Sequence, residues 1–274
     1  MKSELPPKKI LEWYLQAGVD ETIGDDPVDR FAAIEPAEAP EPVPEKETPP
    51  PVPAAPAAPA IGADGASGEA RRTAAAAQGV DELRAALEKF EGCGLKKTAT
   101  NLVFGDGNAE ADIIFIGEAP GAEEDRKGVP FVGPSGQLLD RMLASIGLDR
   151  TAAYISNTVF WRPPGNRNPT TGEMAVCMPF LERMIELVDP KIVVAVGGPA
   201  ANSLLGQKTS VGKLRGKWFT YSSAGLAQPV EATAIYHPAY LLRTPAQKRA
   251  AWQDLLEIRA KMRTLGCRES TNPL

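Results

Sequence analysis

Four short, largely apolar runs constrain this chain more than anything else in it: Ile113–Gly117, Tyr154–Thr158, Ile192–Gly197 and Ala232–Tyr236. Each is too short for a helix and reads as a strand buried on both faces. Between them lie stretches with helical spacing at Ser135–Ile146, Gly172–Val188 and Pro199–Leu205. Pro245–Leu265 closes the chain, and Leu83, Ala86 and Leu87 mark a further helix ahead of the first strand. Buried strands alternating with helices imply an α/β fold, a three-layer α/β/α sandwich around a four-stranded parallel sheet. In such sheets the ligand sits beyond the carboxyl ends of the strands. Glu118, Asn157, Gly198 and His237 all fall at or just past those ends.

Composition divides the 274 residues unevenly. From Glu35 to Pro59 the chain is almost entirely Pro, Ala, Glu and Val, and the next twenty residues are mostly Gly, Ala and Ser. Such a stretch offers little to fill a core and is expected to be a disordered, partly polyproline linker. The expected organisation is therefore a short N-terminal segment (1–34), a linker (35–79) and a larger folded domain (80–274). In the first segment, Ile10, Leu11, Tyr14 and Leu15 have the spacing of an amphipathic helix. A helix on a tether either binds a partner or folds back on its own domain.

Charge divides at the same place. Of 35 acidic and 30 basic residues, the first 79 carry 14 and 7, which leaves 21 and 23 for the rest. The overall net charge of −5 thus hides a mildly basic domain, compatible with nucleic-acid binding. No apolar run reaches the roughly 18 residues that a membrane span needs. The chain start lacks a basic-then-apolar secretion pattern, so a cytoplasmic protein without membrane contact is expected. Three scattered cysteines, Cys93, Cys177 and Cys267, are too few for a disulfide framework.

The residues at the strand ends suggest chemistry. Glu118 stands between Gly117 and Ala119-Pro120-Gly121, where the proline stiffens the turn and the glycines let backbone amides approach a ligand. It reads equally as a solvated loop carboxylate. The segment matches neither a dinucleotide fingerprint nor a phosphate-binding P-loop. Phe131, in the Gly/Pro-rich loop Gly128–Gly136, either stacks on a flat ring or tucks under its own loop. Ser135 opens a helix and reads as a phosphate site or a plain cap. His237 is the only histidine, placed after the last strand as a proton carrier, a neutral donor or a structural cap.

Taken in order, GEAPGAEED (117–125), GVPFVGPSGQLLDRML (128–143), the strand ending in Asn157, RPPGNR (162–167) and HPAYLLR (237–243) resemble the family 4 uracil-DNA glycosylases. The likeness runs from about Phe90 to Leu265. It implies a uracil-DNA glycosylase-like fold and a base-excision repair enzyme that hydrolyses the N-glycosidic bond of uracil in DNA, leaving an abasic site. It also assigns roles. Phe131 stacks on the extruded uracil, and Asn157 pairs its amide with the N3–H and O4 edge, with Gly117 and Ala119 beside them. Glu118 stabilises the sugar cation and orients water, while His237 donates a hydrogen bond to O2. Leu241 or Leu242 wedges into the duplex, and Ser135 and Arg243 meet the DNA backbone.

The chain departs from the family pattern at two points. Family members hold an iron–sulfur cluster on four cysteines, and here Cys93 and Cys177 occupy two of those places while Phe90 and Trp161 occupy the others. Two thiolates cannot carry such a cluster, and Cys267 lies far from the matching positions, so no cluster is expected. The two aromatics are expected to fill the vacated space. Relatives that trap DNA covalently use a histidine after the asparagine strand. Thr158–Pro163 contains none, so turnover is expected. The enzyme is further expected to be a monomer that needs no cofactor, with the N-terminal helix engaging a replication or repair protein. Competing readings are a glycosylase for other deaminated bases such as hypoxanthine and xanthine, or a non-catalytic lesion-binding or polymerase-associated protein.

Overall fold

Residues 63–270 are described by a computed structural model. In chain order the helices are α1 (Ala63–Ala76), α2 (Val80–Lys89), α3 (Ala122–Lys127), α4 (Pro134–Ala144), α5 (Thr171–Val188), α6 (Gly198–Leu205), α7 (Val211–Leu214), α8 (Pro238–Arg243) and α9 (Lys248–Thr264). The strands are β1 (Asp106–Gly107), β2 (Ile113–Gly117), β3 (Tyr154–Asn157), β4 (Ile192–Val196), β5 (Phe219–Tyr221) and β6 (Val230–Ile235).

They form one sheet in the order β1-β3-β2-β4-β6-β5. The four expected strands make its parallel centre, with Gly117 paired to Asn157, Ile116 to Ala195, and Val196 to Ile235. The sheet has six strands, not the expected four. The additional pair, β1 and β5, are antiparallel edges of two and three residues. Pieces that short show no periodicity from which a strand could be read.

Alternate residues along each central strand feed two separate cores. Ile114, Ile116, Val193 and Ala195 point to a cluster built with α1, α2, α5 and α6. Ile113, Phe115, Val194 and Val196 point to a second cluster built with α4, α8 and α9. This is the three-layer arrangement, and the β-branched residues of β2 and β4 suit strands buried on both sides. Helix α5 is started by a reciprocal cap: the Thr170 hydroxyl accepts from the Glu173 amide at 3.2 Å, and the Glu173 carboxylate accepts from the Thr170 amide at 2.7 Å.

One expectation needs correction. The linker is expected to run through residue 79, yet Ala63–Ala76 is helical and packs on α5. Ala66, Ala70 and Ala74 recur every fourth residue and are buried, as is Ala77 beyond the helix. Arg183 of α5 donates twice to the Ala77 carbonyl, at 3.1 and 2.8 Å. Alanine is the strongest helix former, and its small side chain lets two helices approach closely. A composition poor in large apolar residues therefore still builds a packed face. The expected N-terminal helix and the linker as far as residue 62 lie outside the described residues.

Candidate active site

The register of the sheet brings the carboxyl ends of β2, β3, β4 and β6 to one edge, and the loops leaving them build two adjoining cavities. The smaller, about 260 Å³, is lined among others by Ala119, Phe131, Ser135, Asn157 and His237. The larger, about 550 Å³, takes in Glu118, Asn166, Arg167, Tyr240 and Arg243. Ala119, Gly121 and His237 belong to both walls. Glu118 therefore lies next door to Phe131 and Asn157, with His237 at the junction.

Asn157 ends β3 and is buried, and its side-chain amide has no hydrogen-bond partner among the described residues. It lines the small cavity, where a ligand could meet its donor and acceptor. Gly117, opposite it on β2, has to be glycine: a Cβ there would sit 2.4 Å from Asn157 Oδ1 and 2.6 Å from Phe131 Cζ. The bare backbone at Gly117 is what leaves room for both side chains at the floor of the cavity.

Phe131 is buried and adopts a left-handed backbone conformation, with φ of 54°. Such a conformation persists in a bulky residue only when its surroundings over-determine it. Arg150 supplies much of that restraint. Its guanidinium donates to the Pro130 carbonyl at 3.0 Å and to the Phe131 carbonyl, and is itself held by Asp106 at 2.6 Å and Asp140 at 3.0 Å. Gly136 lets α4 press against the loop, since a Cβ there would meet the Phe131 carbonyl oxygen at 1.7 Å. Glu124 joins the two loops of the site: one carboxylate oxygen accepts from the amides of Val132 and Gly133 at 3.0 and 2.9 Å, the other from Gly121 at 3.1 Å.

His237 caps α8. Its Nδ1 accepts from the Ala239 amide at 3.1 Å, which leaves Nε2 to carry the ring proton. Burial, followed by the charge of Arg243, pushes its pKa down to about 4, with Glu124 acting in the opposite direction. The imidazole is therefore neutral at physiological pH and offers a hydrogen bond without a positive charge. Its ring lies 5.7 Å from that of Phe131 at 30°. Burial raises the pKa of Glu118, whose side chain has no ion-pair partner among the described residues. Its backbone carbonyl is tied to β3 through Thr158 Oγ1 at 2.6 Å, which fixes the loop.

Among the residues expected to touch DNA, Ser135 lines the small cavity as the second residue of α4, whose cap is Gly133. Arg243 is exposed on the larger cavity. Leu242 is 43% exposed, whereas Leu241 is 1% exposed and belongs to the core beneath α8. The expectation of a wedge at Leu241 is therefore corrected: a six-residue helix seated on the sheet must bury one face, and Leu241 is on it. Glu124 and Arg150 were missed by sequence reasoning. Glu124 lies in the charged run 123–127 with no local sign of its loop partners, and Arg150 lies 19 residues from Phe131 with no local pattern to link them.

The positions matched to cluster ligands are all buried. Phe90, Cys93, Trp161 and Cys177 are each at most 4% exposed and share one core cluster. The Phe90 ring packs on Phe180, centroids 5.1 Å apart. Only two thiols are present, and among the described residues no group of three or more His, Cys, Asp or Glu side chains is placed to hold a metal ion. These residues do not fit a four-thiolate iron–sulfur cluster.

The sequence model of the uracil DNA glycosylase superfamily matches residues 104–256. A type-4 uracil-DNA glycosylase of Archaeoglobus fulgidus is 40% identical over 185 residues, 66% of this chain and 92% of that protein. Those of Saccharolobus solfataricus and Thermotoga maritima are 40% and 39% identical, with 82% and 87% of their lengths covered. The matched region contains β2 to β6 and every residue of both cavities, and on these grounds the chain belongs to the type-4 uracil-DNA glycosylases of the uracil DNA glycosylase superfamily.

Proposed function

We propose that this protein removes uracil from DNA by hydrolysing its N-glycosidic bond, leaving an abasic site for base-excision repair. The observation that carries the reading is the junction at His237: one side of it faces a small cavity with an aromatic ring and an unpaired amide, the other a groove with a carboxylate and an arginine.

An extruded uracil in the small cavity stacks on Phe131. Asn157 accepts from N3–H and donates to O4, a pairing that the cytosine edge opposes. As the bond between C1′ and N1 breaks, the base gathers negative charge and the sugar positive charge, so stabilisation is chiefly electrostatic. The Nε2–H of His237 donates to O2 as charge develops there. Because the imidazole is neutral, it stabilises the leaving base without surrendering its proton. Glu118, in the adjoining groove, stabilises the sugar cation and orients the water that adds to C1′. Arg243 meets a phosphate, and Leu242, projecting from α8, fills the gap left in the stack.

No cofactor takes part in this reading. Phe90 and Trp161 take over the packing role of a cluster, and iron and sulfide assays on protein made with excess iron should find neither; near-stoichiometric iron would contradict this. The enzyme acts as a cytoplasmic monomer. Excision is tested on single- and double-stranded oligonucleotides bearing one uracil, hypoxanthine or xanthine. Cleavage of uracil substrates is expected, with Glu118→Gln reducing the rate by about 10²–10⁴-fold while the fold persists. Cleavage of hypoxanthine or xanthine in preference to uracil would replace the assignment of Asn157.

A further inference from the structure

The pair Cys93 and Cys177 has no part in the chemistry above. The two sulfurs lie 4.0 Å apart inside the core, 84 residues apart in sequence, and both thiols are free. Cys93 caps the short 3-10 turn Gly94–Lys97, and Cys177 lies in the middle of α5. Disulfide sulfurs are bonded at about 2.0 Å, so the two must approach by about 2 Å to close.

We propose that Cys93 and Cys177 form a reversible disulfide, a redox-dependent clip joining the segment ahead of the sheet to α5. The oxidant is a low-molecular-weight disulfide such as oxidised glutathione. The Cys93 sulfur attacks it, giving a mixed disulfide and one released thiol. The Cys177 sulfur then attacks the Cys93 sulfur of that intermediate and expels the second thiol. Two protein thiols are oxidised, one external disulfide is reduced to two thiols, and the two protons pass to the departing sulfurs.

The geometry also sets the order of attack. Hydrogen bonding with Cys177 lowers the Cys93 pKa against its burial, helped by the amides of Leu95 and Lys96, while Cys93 and burial raise that of Cys177. Cys93 lies at the head of a short turn and Cys177 within α5, and both are buried. Cys267, the third thiol, lies at the chain end after α9 and has no sulfur neighbour among the described residues. Phe90, Trp161 and Phe180 belong to the same core cluster as the pair, and Phe90 packs on Phe180.

The experiment uses the full chain, incubated with oxidised glutathione or with dithiothreitol, alkylated under denaturing conditions and mapped by mass spectrometry. Oxidised protein is expected to give one bridged peptide, Cys93 to Cys177, that has lost two hydrogens and is restored by dithiothreitol. Closing a loop of this length is expected to raise Tm by roughly 5–15 °C over the reduced protein. Cys177→Ser abolishes both effects; Cys93→Ser, on the short turn outside α5, does the same should the helix substitution impair folding. Alkylation of both residues after oxidation, glutathione retained on Cys93 alone, or a bridge that leaves Tm unchanged or lower would each overturn the proposal. None of these outcomes depends on whether uracil is the substrate.

Discussion

His237 shows how one residue is set to its task by the chain around it. Pro238 begins a helix, the amide of Ala239 takes the Nδ1 lone pair, and burial beside Arg243 keeps the ring uncharged. The sign of the consequence for stability follows directly. In the unfolded chain the imidazole takes a proton near pH 6.5, in the folded chain only near pH 4. Between these values the unfolded state binds more protons, so stability declines as pH falls through that window. Thermal unfolding from pH 7 to pH 4 should accordingly show a steeper loss of Tm in the wild type than in His237→Gln, which has no such proton to gain. Equal slopes would mean that the imidazole titrates normally in the folded protein. Glu118 opposes this trend, since burial raises its pKa and makes the folded state the better proton acceptor there as pH falls.

At the scale of elements, the site depends on two loops locked to each other and to the sheet. Glu124 bridges the loop after β2 and the loop before α4, and Arg150 holds the second in its left-handed turn at Phe131. Lysine at 150 keeps the charge but cannot reach two carbonyls and two carboxylates at once. A hydrogen bond to a charged group is worth about 1.5–3 kcal/mol, so Arg150→Lys should lower kcat/KM by roughly 10–150-fold as Phe131 loses its orientation. Single-turnover excision measures it, and a rate equal to wild type would show that the loop holds itself. Here the sequence was informative only in part. Strands β2, β3, β4 and β6 and the strand-end residues Glu118, Asn157 and His237 could be read because their signals are local: a short apolar run followed by a polar residue. Glu124 and Arg150 could not, because their partners are backbone amides and carbonyls of loops whose approach only the folded chain defines.

For the molecule as a whole, the same contrast between local and distant information explains where the domain begins. Composition placed its start at residue 80, because an Ala/Gly/Ser stretch holds no large apolar side chain. The structure instead seats α1 on α5 through Ala66, Ala70 and Ala74, and Arg183 anchors its end at Ala77. Two truncations separate the readings. Removing residues 1–62 leaves every contact described between α1 and α5 in place and should preserve Tm and excision rate. Removing residues 1–79 strips α1 from α5 and costs the burial of four alanine methyls, about 0.8 kcal/mol each or about 3 kcal/mol in all, before the exposed face of α5 is counted. For a domain of this size that corresponds to a Tm lower by roughly 6–12 °C. Calorimetry of the two shortened proteins beside the full chain makes the comparison, and equal melting of both would return the boundary to residue 80. The cavities lie at the far ends of β2, β3, β4 and β6, away from α1, so the shorter protein should still excise uracil at temperatures well below its Tm.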